Sequence, residues 1–271
     1  MEKRVLEIQK QKYACLYWKG TKKNDVAIVY YHGLNGKSKL VKPLLSKLNE
    51  YDFYSVESRG HENSYQKAST RPKKHVQDIK NVIDCLKLKY KKIFLCGESM
   101  GGLYTSLYGY KYDEVDGIFC WSIPFHPRDI MKERKAKKII IFTRVFLCFL
   151  FGWNYLYSAK VDYPKLTNSK FLMKINELDI NTKGSTSEEI SIWKASLKIK
   201  RLFLHKKPKT VIYYWQGEND IMSSNKLLRK IQRKNKITAN EVPNSKHILM
   251  YEDNFNYVTK TIIKYIESSL D

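Results

Sequence analysis

The chain has 271 residues, 43% of them hydrophobic, and 50 Lys+Arg against 27 Asp+Glu give it a formal net charge of +23. That length and apolar share are enough to bury one large core around a sheet, and no fixed-period repeat or low-complexity linker divides the chain. The positive charge raises nucleic-acid binding, but it is spread along the chain (Lys3-Arg4, Lys22-Lys23, Lys73-Lys74, Lys91-Lys92, Lys206-Lys207) without a helix-turn-helix, zinc or RNA-binding signature, so no nucleic-acid partner is expected.

In chain order, the first predicted strands cover 13–18 and 26–31. The second is part of Asp25-Val26-Ala27-Ile28-Val29-Tyr30-Tyr31, a nearly continuous apolar run that ends in His32-Gly33-Leu34-Asn35-Gly36. A helix is predicted near 38–50, a strand at 53–57, a helix at 73–89 and a strand at 92–96. After Lys92-Ile93-Phe94-Leu95-Cys96 comes Gly97-Glu98-Ser99-Met100-Gly101, a G-x-S-x-G pentapeptide, and then small and aromatic residues that suit a buried helix over 100–110. A strand at 115–121 follows. From Ile123 to about Lys209 the alternation breaks, then resumes with a strand at 210–215, a helix at 223–234, a strand at 237–242 and a helix at 254–269. Strands alternating with helices in this way predict an α/β fold with a mostly parallel, doubly wound sheet.

The pentapeptide reads as a nucleophile elbow. A serine at the tip of so tight a strand-to-helix turn takes strained backbone angles, and Gly97 and Gly101 remove the side chains that would keep strand and helix apart. The turn leaves backbone N–H groups free at the helix N-terminus, so the Met100 amide is a candidate oxyanion donor. Upstream, Gly33 lets the chain fold back over the elbow and aim the Leu34 amide at the same oxyanion, with His32 as a structural brace of that loop.

Ser99 needs a base, and the base needs an orienting carboxylate, in the chain order Ser, acid, His. Among the histidines after Ser99, neither His126 in Pro124-Phe125-His126-Pro127 nor His205 beside Lys206-Lys207 has an apolar strand followed by an acid between itself and the elbow. His247 does: Thr210–Trp215 is a β-rich run, Gln216-Gly217-Glu218-Asn219-Asp220 is the turn beyond it, and Asn244-Ser245-Lys246-His247 follows the strand at 237–242. Asp220 and His247 are the candidate acid and base, with Glu218 the competing acid. All three groups then lie beyond the carboxyl ends of strands, where open α/β sheets gather ligands.

These residues resemble the α/β-hydrolase superfamily and, within it, the serine hydrolases related to monoacylglycerol lipase and lysophospholipase. The resemblance covers most of the chain. His32-Gly33 is similar to the family's H-G oxyanion motif, Ser58-Arg59-Gly60-His61-Glu62-Asn63-Ser64 to its R-G-H-G-x-S loop, and Gly97-Glu98-Ser99-Met100-Gly101-Gly102 to its G-H-S-M-G-G elbow. Gly217-Glu218-Asn219-Asp220 resembles its acid turn and Ser245-Lys246-His247 its base loop. Glu62 departs from the second glycine of the R-G-H-G loop, and Glu98 stands where many members have His. A carboxylate beside the nucleophile bears on which acyl or leaving group is accepted.

The resemblance implies an α/β-hydrolase core over 1–123 and 209–271, a helical cap inserted over 124–208, and hydrolysis of single-chain lipid esters through an acyl-enzyme. Thioester or amide hydrolysis by the same machinery, or a non-catalytic binding protein of this fold, remain alternatives, because fold does not fix substrate.

Within the break, Ile139 to Phe151 is intensely apolar yet only thirteen residues long and interrupted by Arg144, too short for a spanning helix, which needs about 20 apolar residues. It is expected either to pack as a cap helix or to line an acyl pocket or touch lipid. The preceding Lys132, Arg134, Lys135, Lys137 and Lys138 suit an anionic membrane surface. Cys15, Cys85, Cys96, Cys120 and Cys148 are odd in number, lack C-x-x-C spacing and read as thiols of a reducing compartment. Met1 to Glu7 has no apolar signal core, so a cytoplasmic protein is expected, with peripheral contact at the inner membrane surface open. Neither metal nor cofactor is expected.

Overall fold

The computed structural model describes residues 2–8, 10–22, 25–34, 38–61, 63–125, 143, 146–148, 156–159, 163–177 and 182–270. Asn35, Gly36, Glu62 and His126 lie outside them, as do the basic residues from Lys132 to Lys138 and all of Ile139–Phe151 except Thr143 and Phe146–Cys148.

The first half of the chain forms β1 (Glu2–Ile8), β2 (Gln11–Trp18), β3 (Val26–Tyr31), α1 (Lys42–Leu45), β4 (Asp52–Val56), α2 (Pro72–Lys87), β5 (Lys92–Glu98), α3 (Met100–Lys111) and β6 (Gly117–Trp121). A second group follows: β7 (Leu156–Ala159), α4 (Tyr163–Leu166), α5 (Lys170–Glu177), β8 (Thr182–Ser185) and α6 (Thr186–His205). The chain then returns through β9 (Ile212–Gly217), α7 (Asn225–Lys234), β10 (Thr238–Val242) and α8 (Phe255–Ser268). Eight strands make one sheet in the order β1-β2-β4-β3-β5-β6-β9-β10, while β7 and β8 pair separately. The β1–β2 and β2–β4 pairs are antiparallel and every other pair of the large sheet is parallel.

Strands covered on both faces read as continuous apolar runs, and β3 is buried at all of its positions. On one face Val29, Leu95 and Cys120 meet Ile79 and Val82 of α2, Leu103 and Leu107 of α3, and Ile192, Ala195 and Ile199 of α6. On the other, Ile28, Phe94, Phe119 and Trp215 pack with Leu44 of α1 and Val258, Ile262 and Ile266 of α8. Full burial of an aliphatic or aromatic side chain of this size contributes about 1.5–3 kcal/mol, so these two layers carry the fold.

Two sequence expectations change. Residues 38–50 do not form one helix: a 3-10 turn over Ser38–Val41 gives way to the single turn α1, with Pro43 at its start, where the missing N–H costs nothing. Second, β1 was not foreseen. It pairs along its whole length with β2 at the sheet edge, and the connection turns at Lys10, whose φ of 66° has no glycine to announce it. Within 124–208, where a helical insertion is expected, α6 is a 20-residue helix packed on α2, α3 and α7. Its start carries the sequence signal Ser185-Thr186-Ser187-Glu188, a capping box in which Ser185 Oγ accepts from the Glu188 N–H.

Among the described residues no helix is long and apolar enough to cross a membrane, and no cluster of His, Cys, Asp and Glu suits a metal ion. The five cysteines are free thiols; Cys15, Cys96, Cys120 and Cys148 are buried, and burial pushes the Cys15 and Cys120 thiols up to about 12.

Candidate active site

At the end of β5 the chain turns through Ser99 with φ 50° and ψ −111°, a strained conformation for a residue with a side chain, and enters α3 at Met100. Two contacts hold it there: Ser99 N–H donates to Trp121 O of the neighbouring strand (2.9 Å) and Leu103 N–H donates to Ser99 O (3.1 Å). The glycines answer to close approach. A Cβ on Gly101 would lie 2.0 Å from Tyr31 O, and one on Gly97 would lie 2.6 Å from Thr105 Oγ1 and 2.8 Å from Gly101 O.

The acid turn follows β9. Asp220 N–H donates to Gly217 O (3.1 Å), and the Asp220 carboxylate accepts from Met222 N–H at 2.8 Å. The loop carrying His247 follows β10 and is tied to α4: Ile248 N–H donates to Leu166 O (2.8 Å) and Lys246 Nζ to Pro164 O (2.7 Å). These two turns bring His247 Nδ1 to 3.0 Å from each Asp220 oxygen, and His247 Nε2 to 3.2 Å from Ser99 Oγ. A carboxylate can only accept, so the ring proton belongs on Nδ1 and Nε2 is left to accept from the serine hydroxyl. Glu218 does not share this position: it is exposed, and its Oε2 accepts from Asn244 N–H at 2.9 Å.

Asp220 and His247 are both buried. Burial opposes the imidazolium, but the charge and hydrogen bond of Asp220, aided by the charge of Glu98, outweigh it and raise the His247 pKa above the ordinary 6.5. Glu98 is half-buried, and its carboxyl is raised, first by burial, against the opposing pull of His247, Tyr30 and Trp121.

The loop after β3 runs directly over the elbow, since a Cβ on Gly33 would sit 3.2 Å from Ser99 Cβ. His32 Nδ1 lies 2.8 Å from Gly33 O, and its Nε2 accepts from Ser58 N–H at 3.1 Å. Leu34 is half-buried against the core layer that contains Met100. As the first residue of α3, Met100 has an N–H with no carbonyl one turn back in the helix to receive it.

Two groups beside the site were not singled out from the sequence. Tyr30, one residue before the end of β3, donates to Glu98, and Glu188 of α6 meets His61 of the loop after β4. The capping-box spacing of Ser185 and Glu188 is legible in the chain; their proximity to the site is not.

The sheet order and the strained serine between β5 and α3 define an α/β-hydrolase. Consistent with this, the family model described as serine aminopeptidase, S33, matches residues 22–254, and the chain belongs to that family. Among solved structures, a soluble variant of monoglyceride lipase from Saccharomyces cerevisiae in complex with a substrate analogue superposes with a TM-score of 0.78 at 17% identity, covering 98% of this chain and 94% of that one. The monoacylglycerol lipase of Paleococcus ferrophilus gives 0.75 at 18% identity with 99% of each chain covered, and the enol-lactonase of Burkholderia xenovorans LB400 gives 0.67 at 13%, covering 97% and 100%. At these identities the likeness is one of fold. A comparison with curated proteins finds no match.

Proposed function

We propose that this chain is a serine carboxylic-ester hydrolase that cleaves single-chain lipid esters, such as monoacylglycerols or lysophospholipids. Ser99 Oγ attacks the ester carbonyl as its proton passes to His247 Nε2, while Asp220 orients the ring and stabilises the imidazolium. The Leu34 and Met100 amides receive the oxyanion, with Gly33, Gly97 and Gly101 giving the loops room and His32 bracing Gly33. Collapse of the tetrahedral adduct expels the alcohol, which takes the proton from His247 and leaves an acyl-serine. Water, deprotonated by the same imidazole, then attacks the acyl carbon and frees the acid and Ser99. No cofactor enters.

The observation that carries this reading is the unbroken run of contacts from Ser99 Oγ through His247 to Asp220, at 3.2 and 3.0 Å. The lipid preference is supported by the fold shared with two monoglyceride lipases and by exposed apolar side chains within 124–208, the segment we read as the cap. Phe146, Leu156 and Phe171 are each more than half exposed, and Phe171 stacks on Tyr251, four residues beyond His247. On the same reading the enzyme works in the cytoplasm, and its net charge of +23 favours peripheral contact with an anionic membrane.

A fluorophosphonate probe should label the wild type and not Ser99→Ala; absence of labelling in the wild type would favour the binding-protein alternative. The family's description as a serine aminopeptidase favours amide hydrolysis as a second reading. Assay against esters of graded chain length, a lysophospholipid, a thioester and an aminoacyl amide decides among them, and turnover of the amide alone would overturn the ester assignment.

A further inference from the structure

Behind the oxyanion loop lies a buried group of two histidines and two carboxylates. His32 stands at the end of β3, its ring proton assigned to Nδ1 because Nε2 already accepts from Ser58 N–H at 3.1 Å. Glu57 Oε2 is 3.4 Å from that same Nε2. The His61 ring stands edge-on to His32, centroids 4.5 Å apart and planes at 72°. On its other side, His61 Nδ1 lies 3.1 Å from Glu188 Oε1 of α6, with only 7% and 2% of the two side chains exposed. Glu188 is itself fixed, since Ser185 Oγ donates to Oε2 at 2.8 Å. Burial opposes a charge on His61, but the Glu188 carboxylate 3.1 Å away outweighs it and raises its pKa, consistent with an imidazolium held against a carboxylate, while Arg59 O lies 3.4 Å from the same Nδ1.

A buried ion pair adds little stability over well-packed apolar residues, so the chief consequence of this one is geometric. It ties the first turn of α6 to the 58–61 loop. That loop meets His32 both through the His61 ring and through the Ser58 N–H, and His32 in turn holds Gly33 O at 2.8 Å. We propose that His61 and Glu188 are positioning residues of the reaction: Glu188 holds the His61 ring against His32, and this fixes the loop that sets the Leu34 amide over Ser99. The inference rests on the assignment of Leu34 to the oxyanion site. Because α6 begins directly after β8, a change in where that helix starts would reach the oxyanion loop without touching substrate.

The test compares wild type, Glu188→Gln, His61→Asn and the double variant on p-nitrophenyl butyrate, assayed well below each variant's melting temperature. A loosened oxyanion donor acts on the transition state, so kcat should fall about 10–100-fold with KM within about threefold. The two residues act as one unit, so the double variant should be no slower than the slower single variant. Ser185→Ala, which removes the hydroxyl that both donates to Oε2 and caps α6, should show a smaller loss of the same kind and, compared at equal distance below its own melting temperature, decides the matter where either of the others does not fold. Unchanged kcat in the folded variants, a loss confined to KM, or multiplying losses in the double variant would overturn the proposal. Fluorophosphonate labelling of the wild type, run alongside, separates this from failure of the hydrolase reading, which an unlabelled wild type would signal.

Discussion

The hydroxyl of Tyr30, which packs in one layer with Trp121, donates to Glu98 Oε2 at 3.1 Å and so holds the carboxylate of the residue before Ser99. From there its charge acts on His247. In the proposed mechanism the imidazole must be neutral to accept the serine proton, so activity should fall as pH drops through the His247 pKa, which is raised above 6.5. A negative Glu98 stabilises the imidazolium, so Glu98→Gln should lower that pKa and move the acid limb of kcat/KM toward lower pH. A profile on p-nitrophenyl butyrate from about pH 5 to about pH 9 checks this, and an unmoved or upward-shifted limb would exclude the coupling.

Asp220→Asn should keep the fold and lose the reaction. An amide can donate to Nδ1, which favours the ring tautomer with its proton on Nε2, the nitrogen that has to accept from Ser99 Oγ at 3.2 Å. A fall in kcat on the order of 10³–10⁴ is expected, with the melting temperature close to that of the wild type. Glu218→Gln, at the exposed carboxylate bonded to Asn244 N–H, should retain most of the activity. The reverse ranking of these two variants would exchange the roles assigned to the two acids.

The parts of the site written in local sequence were legible: a strand, a G-x-S-x-G turn and a helix around Ser99, and a strand ending in a short acidic turn before Asp220. Each is a short-range steric pattern, and the family's chain order supplied the pairing of residues far apart. What was not legible depends on tertiary docking. The charged Glu2, Lys3, Arg4 and Glu7 of β1 read as solvent-facing chain until β2 offers it a ladder, and the bounds of α6 are not fixed by the alternation that breaks at Ile123, although its capping box stands in the sequence. His61 stands in the 58–64 motif and Glu188 in a capping box, and neither local pattern shows that the two meet. The packing of α6 on α2 and α3, which includes the Tyr104 hydroxyl donating to Ser191 Oγ at 2.8 Å, brings Glu188 to His61 of the 58–61 loop.

Gly101→Ala and Gly109→Ala lie on the same helix and should differ sharply. At position 101 the added methyl meets backbone, Tyr31 O at 2.0 Å, which cannot retreat without breaking the β3–β5 ladder that seats the elbow. At position 109 it meets Ile118 Cδ1 at 2.5 Å and Ile212 Cδ1 at 3.4 Å, the far ends of side chains that can turn. Alanine also gains about 1 kcal/mol of helix propensity over glycine. Overpacking against fixed atoms should cost Gly101→Ala about 3 kcal/mol or more, whereas Gly109→Ala should stay within about 1 kcal/mol of wild type. Denaturant midpoints measure both, and equal losses would show that the elbow has more room than these distances allow.

His75 lies flat on Tyr104, ring centroids 3.9 Å apart and planes at 9°, with its Nε2 buried and unpartnered. Burial first, then the positive charges of Arg59 and His61, lower its pKa from 6.5 to about 3. For a histidine this is the inverse of the usual ion-paired case. The fold favours the neutral ring, so the His75 contribution is complete above pH 6.5 and is lost as pH falls from there toward 3. Between pH 7 and pH 5 the unfolded chain takes up a proton that the folded ring refuses, which should remove on the order of 2 kcal/mol. His61 and His247, whose pKa values are raised, act in the opposite sense over the same window, and comparing variant with wild type largely cancels them. His75→Phe keeps a flat ring on Tyr104 and has no proton to bind. Its loss of unfolding free energy from pH 7 to pH 5 should therefore be about 2 kcal/mol smaller than that of the wild type in urea titrations. Parallel losses in the two proteins would mean that the proton enters elsewhere and that His75 is free to charge inside the fold.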